Sequence, residues 1–355
     1  MIEDEAATVS DAARPATDFA PDRLWAYLAR VRPDLGGGAG TIERIAGGQS
    51  NPTYRLRLGA RDLILRKAPA GPALPAAHAV DREYRIMDAL HGTGVPVPAM
   101  VLLETDPEVL GAAFYLMDYL QGEVAHDSRL PGRSPEDRSA IYAEKARILA
   151  ALHGIDFRAR GLSDFGRTGP FFTRQIHRWS KQWELSKTRE IPEIDALAAW
   201  LRENDPQEDR LTIVHGDYRI GNLMLDRAAP RILGVLDWEL STLGHPLADL
   251  AHTVALWHVT PGEYGGLMGC DLKALGIPER ARFEDDYLRA AGQTRGLDTF
   301  HHVFALFRFA VIFEGIAARA VQGSAASDNA HQVGTLSVVL ARRAAAMVAG
   351  EHPTQ

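Results

Sequence analysis

The chain has 355 residues, 46% hydrophobic and 24% charged, with a formal net charge of -7. That is ordinary globular composition, long enough for one large domain or two smaller ones, and its negative balance gives no general reason to expect nucleic acid, which is held by Lys and Arg neutralising phosphates. The single cysteine, Cys270, excludes an internal disulfide framework and a cysteine-based zinc site.

The opening MIEDEAATVSDAARPATDF is acidic and rich in small residues, without the basic-then-apolar order of a secretory signal. Residues 1–18 therefore read as a disordered acidic tail. Pro21–Val31 carries Leu24, Trp25, Leu28 and Val31 at helical spacing, and the Gly-rich Gly36–Gly40 ends that helix. TIERIAGGQSNPTYRLRLG and RDLILRKAP are alternating or apolar runs around a turn at Gly59–Ala60, which predicts antiparallel strands. A helix is expected over His78–Gly94 and a strand over Ala112–Leu120. Ser134, Pro135 and Asp137 then supply a capping start to a long helix, and FFTRQIHRWSKQWELSK predicts another. From Leu247 onward every segment reads as helical. The longest apolar run, VFALFRFAVIFEGIAARA, is broken by Arg308 and Glu314 and falls short of the ~20 apolar residues of a membrane span. A soluble cytoplasmic protein with neither membrane nor nucleic-acid partner is expected. A strand-rich lobe over 19–118 would precede a helical lobe over 119–355, with the seam near Asp118–Gly122.

The chemistry concentrates in IVHGDYRIGNLMLD, Ile213–Asp226. LTIVHG reads as an incoming strand, and NLMLD and RILGVLDW as a hairpin joined by RAAP. Asp217 lies in the loop before that hairpin, Asn222 opens it and Asp237 closes it. The two open ends of a hairpin are neighbours. Two oxygen donors there suit Mg²⁺, which takes few protein ligands and completes its shell with phosphate oxygens. Asp217 could orient a hydroxyl and take its proton. Solvated polar residues at hairpin ends are the plain alternative, and the spacing alone leaves both open.

Asp-x4-Asn with a further Asp after the hairpin parallels the protein-kinase catalytic loop and metal-binding Asp. The wording HGDYRIGNLMLD, followed by GVLDWELSTLGHPLADLA, resembles the aminoglycoside phosphotransferase and choline kinase-like family of small-molecule kinases. The resemblance implies an α+β, two-lobed protein-kinase-like fold with a small antiparallel-sheet N-lobe and a larger helical C-lobe. It implies ATP and Mg²⁺ as cofactors, Asp217 as the catalytic carboxylate, and Asn222 and Asp237 as metal ligands. His215, Asp249 and Glu239 would support the site.

In the N-lobe, IAGGQSNPTYRL resembles the family's nucleotide-covering hairpin, so Gly47, Gly48, Ser50 and Asn51 are expected near the phosphates. LILRKAP places Arg66 and Lys67 where kinases hold a phosphate-pairing lysine. Ile64 and Arg66 share one strand face, which favours Arg66, although either cation remains open. Glu83 matches the glutamate that holds that cation, a surface helix pairing being the alternative. FYLMDYLQGE resembles the hinge, where backbone groups from Met117 to Tyr119 would meet an adenine edge.

RQIHRWSKQWELSK and FRFAVIFEGIAARAVQG resemble the family's subgroup that also occurs fused to acyl-CoA dehydrogenases. These segments bring Arg174, His177, Arg178, Lys181 and Arg308 with one prominent carboxylate, Glu314. A cationic aminoglycoside calls for clustered carboxylates. The mixture here suits an anionic or amphipathic hydroxyl acceptor, such as a hydroxy acid or hydroxyacyl thioester, unless the cations are only a solvated helix face. The rival readings are an antibiotic kinase and a nucleotide-binding regulatory protein with the kinase fold. A metal-dependent hydrolase is a third, but the 13 His residues show no metal-ligand spacing.

Overall fold

Along Thr53–Leu58 the buried Tyr54, Leu56 and Leu58 alternate with Thr53, Arg55 and Arg57. Alternate side chains on a strand point to opposite faces, so such a run presents one apolar row. In the computed structural model, which describes residues 17–36, 38–45, 51–69, 80–321 and 334–351, this row is covered by a helix. That helix, α1 (Pro21–Val31), has Pro21 in its first turn and buries Leu24 and Leu28. The strands are β1 (Thr41–Arg44), β2 (Thr53–Leu58), β3 (Arg61–Lys67), β4 (Met100–Glu104) and β5 (Phe114–Asp118), with α2 (Val80–Leu90) and α3 (Pro107–Leu110) between them in sequence. They form one antiparallel sheet in the order β1-β2-β3-β5-β4. Leu24 and Leu28 close a core with Tyr54, Leu56, Leu63, Leu65 and Phe114.

The chain divides into two units, Met1–Arg85 with Pro98–Tyr119, and Ile86–Val97 with Leu120–Gln355. The expected tail lies outside the described residues as far as residue 16, and so do Gly47, Gly48 and Ser50. Asp18, counted with that tail in the sequence reading, is described and ion-paired, as detailed below.

After Ile86–Val97, the second unit continues with β6 (Glu123–Val124) and α4 (Pro135–His153). Ser134 Oγ accepts from the Asp137 N–H at 3.1 Å, the cap its position predicts. After α5 (Phe171–Ser186) and α6 (Pro192–Glu203) come β7 (Thr212–Val214), β8 (Leu223–Leu225), β9 (Ile232–Val235) and β10 (Thr242–Gly244). β6, β8 and β9 form one small sheet, while β7 pairs with β10. The sequence reading did not anticipate β10, whose three residues are too few to show a period.

The rest is helical: α7 (Pro246–Val254), α8 (Pro261–Tyr264), α9 (Leu272–Leu275), α10 (Arg280–Ala291), α11 (Thr299–Val321) and α12 (Leu336–Val348). α11 is apolar on most sides and packs against α12, α5, α6 and α7, as a helix at the centre of a core must. No described helix is long and apolar enough to cross a membrane.

Candidate active site

Strand β3 ends with two cations on opposite faces. Arg66 lies beside Glu83, Nε to Oε2 at 3.1 Å. Glu83 is buried at 1% exposure and also accepts from Asn51 Nδ2 at 3.0 Å and the Tyr115 hydroxyl at 2.9 Å. A buried carboxylate is tolerable only with partners of this kind. The surface helix pairing is thus not the arrangement found. Asn51, expected at the phosphates, instead spends its amide N–H on Glu83.

Lys67 points the other way, with Leu63 and Leu65, and has no exposed surface. Its Nζ donates to Asp18 at 2.8 Å, and the Tyr54 hydroxyl donates to the same carboxylate at 2.7 Å. Burial pushes the Asp18 pKa up, but the Lys67 and Tyr54 bonds outweigh it and hold the group below its ordinary value. At the end of β5 the Asp118 N–H donates to Ala99 O and the Tyr119 N–H to Asp62 O, while Met117 pairs with Ile64 in the sheet. The N–H groups of Asp118 and Tyr119 are thus both spent within the first unit.

In the second unit β7 delivers His215, Gly216 and Asp217 to the start of a loop. Gly216 has φ +83°, and a Cβ there would stand 2.8 Å from Leu240 O, so only glycine fits. Asp249, on the first turn of α7, accepts from the His215 N–H at 2.7 Å and the Gly216 N–H at 2.9 Å. His153 Nε2 lies 3.3 Å from the same carboxylate. Burial alone would raise the Asp249 pKa, but these donors hold it at about 2. His215 bonds through Nε2 to Leu236 O at 2.9 Å, and its Nδ1 accepts the Asp217 N–H at 3.2 Å. Both residues hold the loop in shape.

Asp217 Oδ2 accepts from Asn222 Nδ2 at 2.9 Å and Arg219 Nε at 3.2 Å, while Oδ1 faces His252 Nε2 at 3.0 Å. Burial raises this group's pKa, but the His252 hydrogen bond and the charges of His252, Arg219 and His215 outweigh it, and Asp217 stays ionised well below the usual range. Burial lowers the pKa of His252 against the pull of Asp217. Its Nε2–H donates to the Asp217 carboxylate.

Asn222 gives its amide nitrogen to Asp217, both backbone O and Oδ2, which leaves Oδ1 to meet a cation. Its backbone O accepts from the Leu236 N–H at 2.8 Å, so the residue opposite Asn222 is the neighbour of Asp237. The hairpin thus sets the backbone of Asn222 against that of Leu236, one residue before Asp237. Asp237 adopts a left-handed backbone, φ +62°, a conformation that costs energy outside glycine and recurs at functional sites. Among the described residues no three His, Cys, Asp or Glu side chains form a metal cage. Two oxygen donors fit a hard cation completed by phosphate oxygens. Glu239 is exposed, two residues further on.

Two expected acceptor residues are spent elsewhere. Glu314 is fully buried and accepts from Thr188 and Arg189. Arg174 donates to the carbonyls of Arg167, Thr168, Gly169 and Pro170 and locks the turn before α5. Arg308 does reach the site, donating from Nη2 to Gly216 O at 2.8 Å. His252 is absent from the sequence reading, although its place three residues after Asp249 puts both on one helix face.

The profile of a family described as the phosphotransferase enzyme family matches residues 41–300. The chain is 39% identical over 331 residues to acyl-CoA dehydrogenase family member 10 of Mus musculus, covering 91% of this chain and 30% of that protein. It is 37% identical over 331 residues to the probable acyl-CoA dehydrogenase IBR3 of Arabidopsis thaliana, covering 88% and 40%. The chain thus spans less than half the length of these curated relatives. A crystal structure from Ralstonia eutropha, provisionally named an aminoglycoside phosphotransferase, superposes with TM-score 0.84 at 43% identity, covering 92% of this chain and 97% of that one. A thermostable mutant of aminoglycoside phosphotransferase APH(4)-Ia, in ternary complex with AMP-PNP and hygromycin B, gives TM-score 0.60 at 17% identity over 90% and 97% of the two chains. That last likeness is one of fold alone.

Proposed function

This chain belongs to the phosphotransferase enzyme family, and from that premise we propose that it moves the γ-phosphate of ATP to a hydroxyl of a small carbonyl-bearing molecule, a hydroxy acid or its acyl thioester. The family and the kinase-like fold support a small-molecule kinase. One observation carries the reading: Asn222 joins Asp217 to the hairpin end through its amide nitrogen, so the ionised carboxylate and the cation-facing oxygen belong to one hydrogen-bonded unit.

In this reading Asp217 orients the acceptor hydroxyl. The hydroxyl oxygen forms a bond to the γ-phosphorus as the bond to the bridging oxygen breaks, ADP leaves, and the hydroxyl proton passes to Asp217. So depressed a carboxylate takes the proton late, which suits phosphoryl transfer, where positioning and charge neutralisation do most of the work. Asn222 and Asp237 would hold Mg²⁺, which neutralises phosphate charge when bound. Arg66, braced by Glu83, would meet phosphate oxygens, since Lys67 is committed to Asp18.

The acceptor class is supported by the charges of α5 and α11, whose acidic residues are Glu184 and Glu314. Glu184 pairs with Lys187 at 3.0 Å, and Glu314 is buried with Arg189. These two helices thus offer no cluster of carboxylates for a polycationic antibiotic. The dehydrogenase names of the curated relatives point the same way, towards acyl chemistry.

The test is ATP consumption with Mg²⁺ against hydroxy acids, hydroxyacyl-CoAs, aminoglycosides, choline and sugars. Turnover with carbonyl-bearing acceptors, lost by about 10²–10⁴-fold in Asp217→Asn, is the expected result. Fast turnover of aminoglycosides alone would replace this reading with that of an antibiotic kinase. Mg-ATP binding with no turnover would favour a regulatory protein.

A further inference from the structure

Close to Gly216 lie two buried donor atoms without a hydrogen-bond partner among the described residues. Arg308, on α11, is tied by Nη2 to the Gly216 carbonyl, yet its Nε is buried and has no hydrogen-bond partner among the described residues. Its guanidinium sits over the indole of Trp179, 5.4 Å from the ring centroid. The indole Nε1 of Trp179 is also buried without a partner. Arg178 lies against the same ring at 5.3 Å. Buried donors are almost always satisfied, because each one left unpaired keeps the full cost of its lost hydration. Two of them on touching side chains, with a second guanidinium on the same ring and no carboxylate bonded to either guanidinium among the described residues, call for an oxygen acceptor.

Burial lowers the Arg308 pKa, the carboxylates of Asp217 and Asp249 oppose this, and the Arg178 charge adds a smaller lowering.

We propose that Arg308 Nε and Trp179 Nε1 form the carbonyl-binding subsite of the acceptor, gripping an oxygen of its carboxylate or thioester carbonyl and so setting its hydroxyl against Asp217. This rests on the phosphotransferase reading and sharpens it. Because Arg308 is hydrogen-bonded to the residue before Asp217, the oxygen site and the phosphorylated hydroxyl are neighbours. The acceptor's hydroxyl is then only a few carbon atoms from its carbonyl. A lone alcohol leaves both donors unpaired and is discriminated against on that ground.

Two substitutions isolate the donors. Trp179→Phe keeps a ring and removes only the N–H. Arg308→Lys keeps the charge and removes Nε, which a lysine cannot replace. Two measurements are made on wild type and both variants. The first is Mg-ATP turnover of hydroxybutyrate, hydroxybutyryl-CoA and butanol. The second is calorimetric binding of butyrate and butyryl-CoA, which carry the carbonyl but no hydroxyl.

Either variant is expected to cut the kcat/KM preference for a carbonyl-bearing acceptor over butanol by about tenfold, through KM, and to weaken butyrate or butyryl-CoA binding by a similar factor. Whether the acid or the thioester responds identifies the form taken. Turnover with an unaltered preference in both variants overturns the subsite while leaving the kinase intact. Binding weakened by both variants, with no turnover in wild type, keeps the subsite and overturns the kinase. Absence of butyrate and butyryl-CoA binding together with an unaltered preference also overturns the subsite.

Discussion

His252 Nε2 stands 3.0 Å from Asp217 Oδ1, with its ring stacked on Phe309 at 4.7 Å between centroids and 16° between planes. The stacking fixes the ring and the N–H fixes the carboxylate, so a side chain remote from any nucleotide motif sets the rotamer of the proposed base. Substituting His252→Phe retains an aromatic ring and deletes the donor. Asp217 then loses the partner that most lowers its pKa. The acid limb of kcat/KM is expected to move up towards the ordinary carboxylate value of about 4, with kcat down about tenfold. A depressed carboxylate contributes stability that is present above its unfolded pKa and lost as pH falls through the folded one. Acid denaturation of the variant should thus begin at higher pH than that of wild type. Overlapping pH profiles would show that His252 merely fills space.

Arg66 and Lys67, adjacent in sequence, should fail in different ways. Removing Arg66 by Arg66→Ala leaves Glu83 with Asn51 and Tyr115, and ATP KM should rise about tenfold or more with a modest change in melting temperature. Lys67→Ala strands Asp18 and opens a hole beneath β2 and β3. Breaking such a pair costs about 3 kcal/mol when fully buried, and less here because Asp18 is one-third exposed. Thermal melts and ATP titrations on both variants decide; a larger ATP effect from Lys67→Ala would transfer the phosphate role to that residue.

Lys145 is a stability liability with a pH signature. It is buried at 1% exposure with no ion pair among the described residues, and its ammonium lies 5.4–5.9 Å from the rings of Phe283, Tyr142 and Tyr218. Burial pulls its pKa down to about 7. A lysine whose folded pKa is depressed leaves the unfolded state binding more protons between that value and about 10.4, so stability rises with pH across this window. Lys145→Met should therefore stabilise the protein near pH 7, with the gain shrinking towards pH 10. Denaturant melts at the two pH values measure it, and a gain independent of pH would mean that the amine is not the cause.

Gly216→Ala should damage both fold and activity. The left-handed backbone and the 2.8 Å approach to Leu240 O leave no room for a methyl group. The loop must shift, which moves Asp217 and releases the carbonyl that Arg308 holds. A loss of more than about 1 kcal/mol in stability, with a larger loss in kcat, is the expected outcome; near-wild-type turnover would show that the loop tolerates displacement.

Local pattern made much of this legible. α1 begins and ends where its spacing and Pro21 place it, and the Ser134 cap forms as read. The hairpin reading of Asn222 and Asp237 needed only strand alternation and a turn. β10 escaped because three residues carry no period, and its meaning comes from pairing with β7. That Arg174 and Glu314 are tied within the protein was not legible, because an exposed charge and a buried, satisfied one look the same in a string of letters.

The sequence by itself determined the family and most of the strand and helix pattern, and it set Asp217, Asn222 and Asp237 around one hairpin, since these depend on residue types at short spacing. Only the tertiary structure decided which charges are spent and which are held ready. It turned Lys67 inward to Asp18 and Arg66 to Glu83, and it set His252 from α7 and Arg308 from α11 beside Asp217. Those partnerships join residues far apart in the chain, where packing rather than local propensity selects the neighbour.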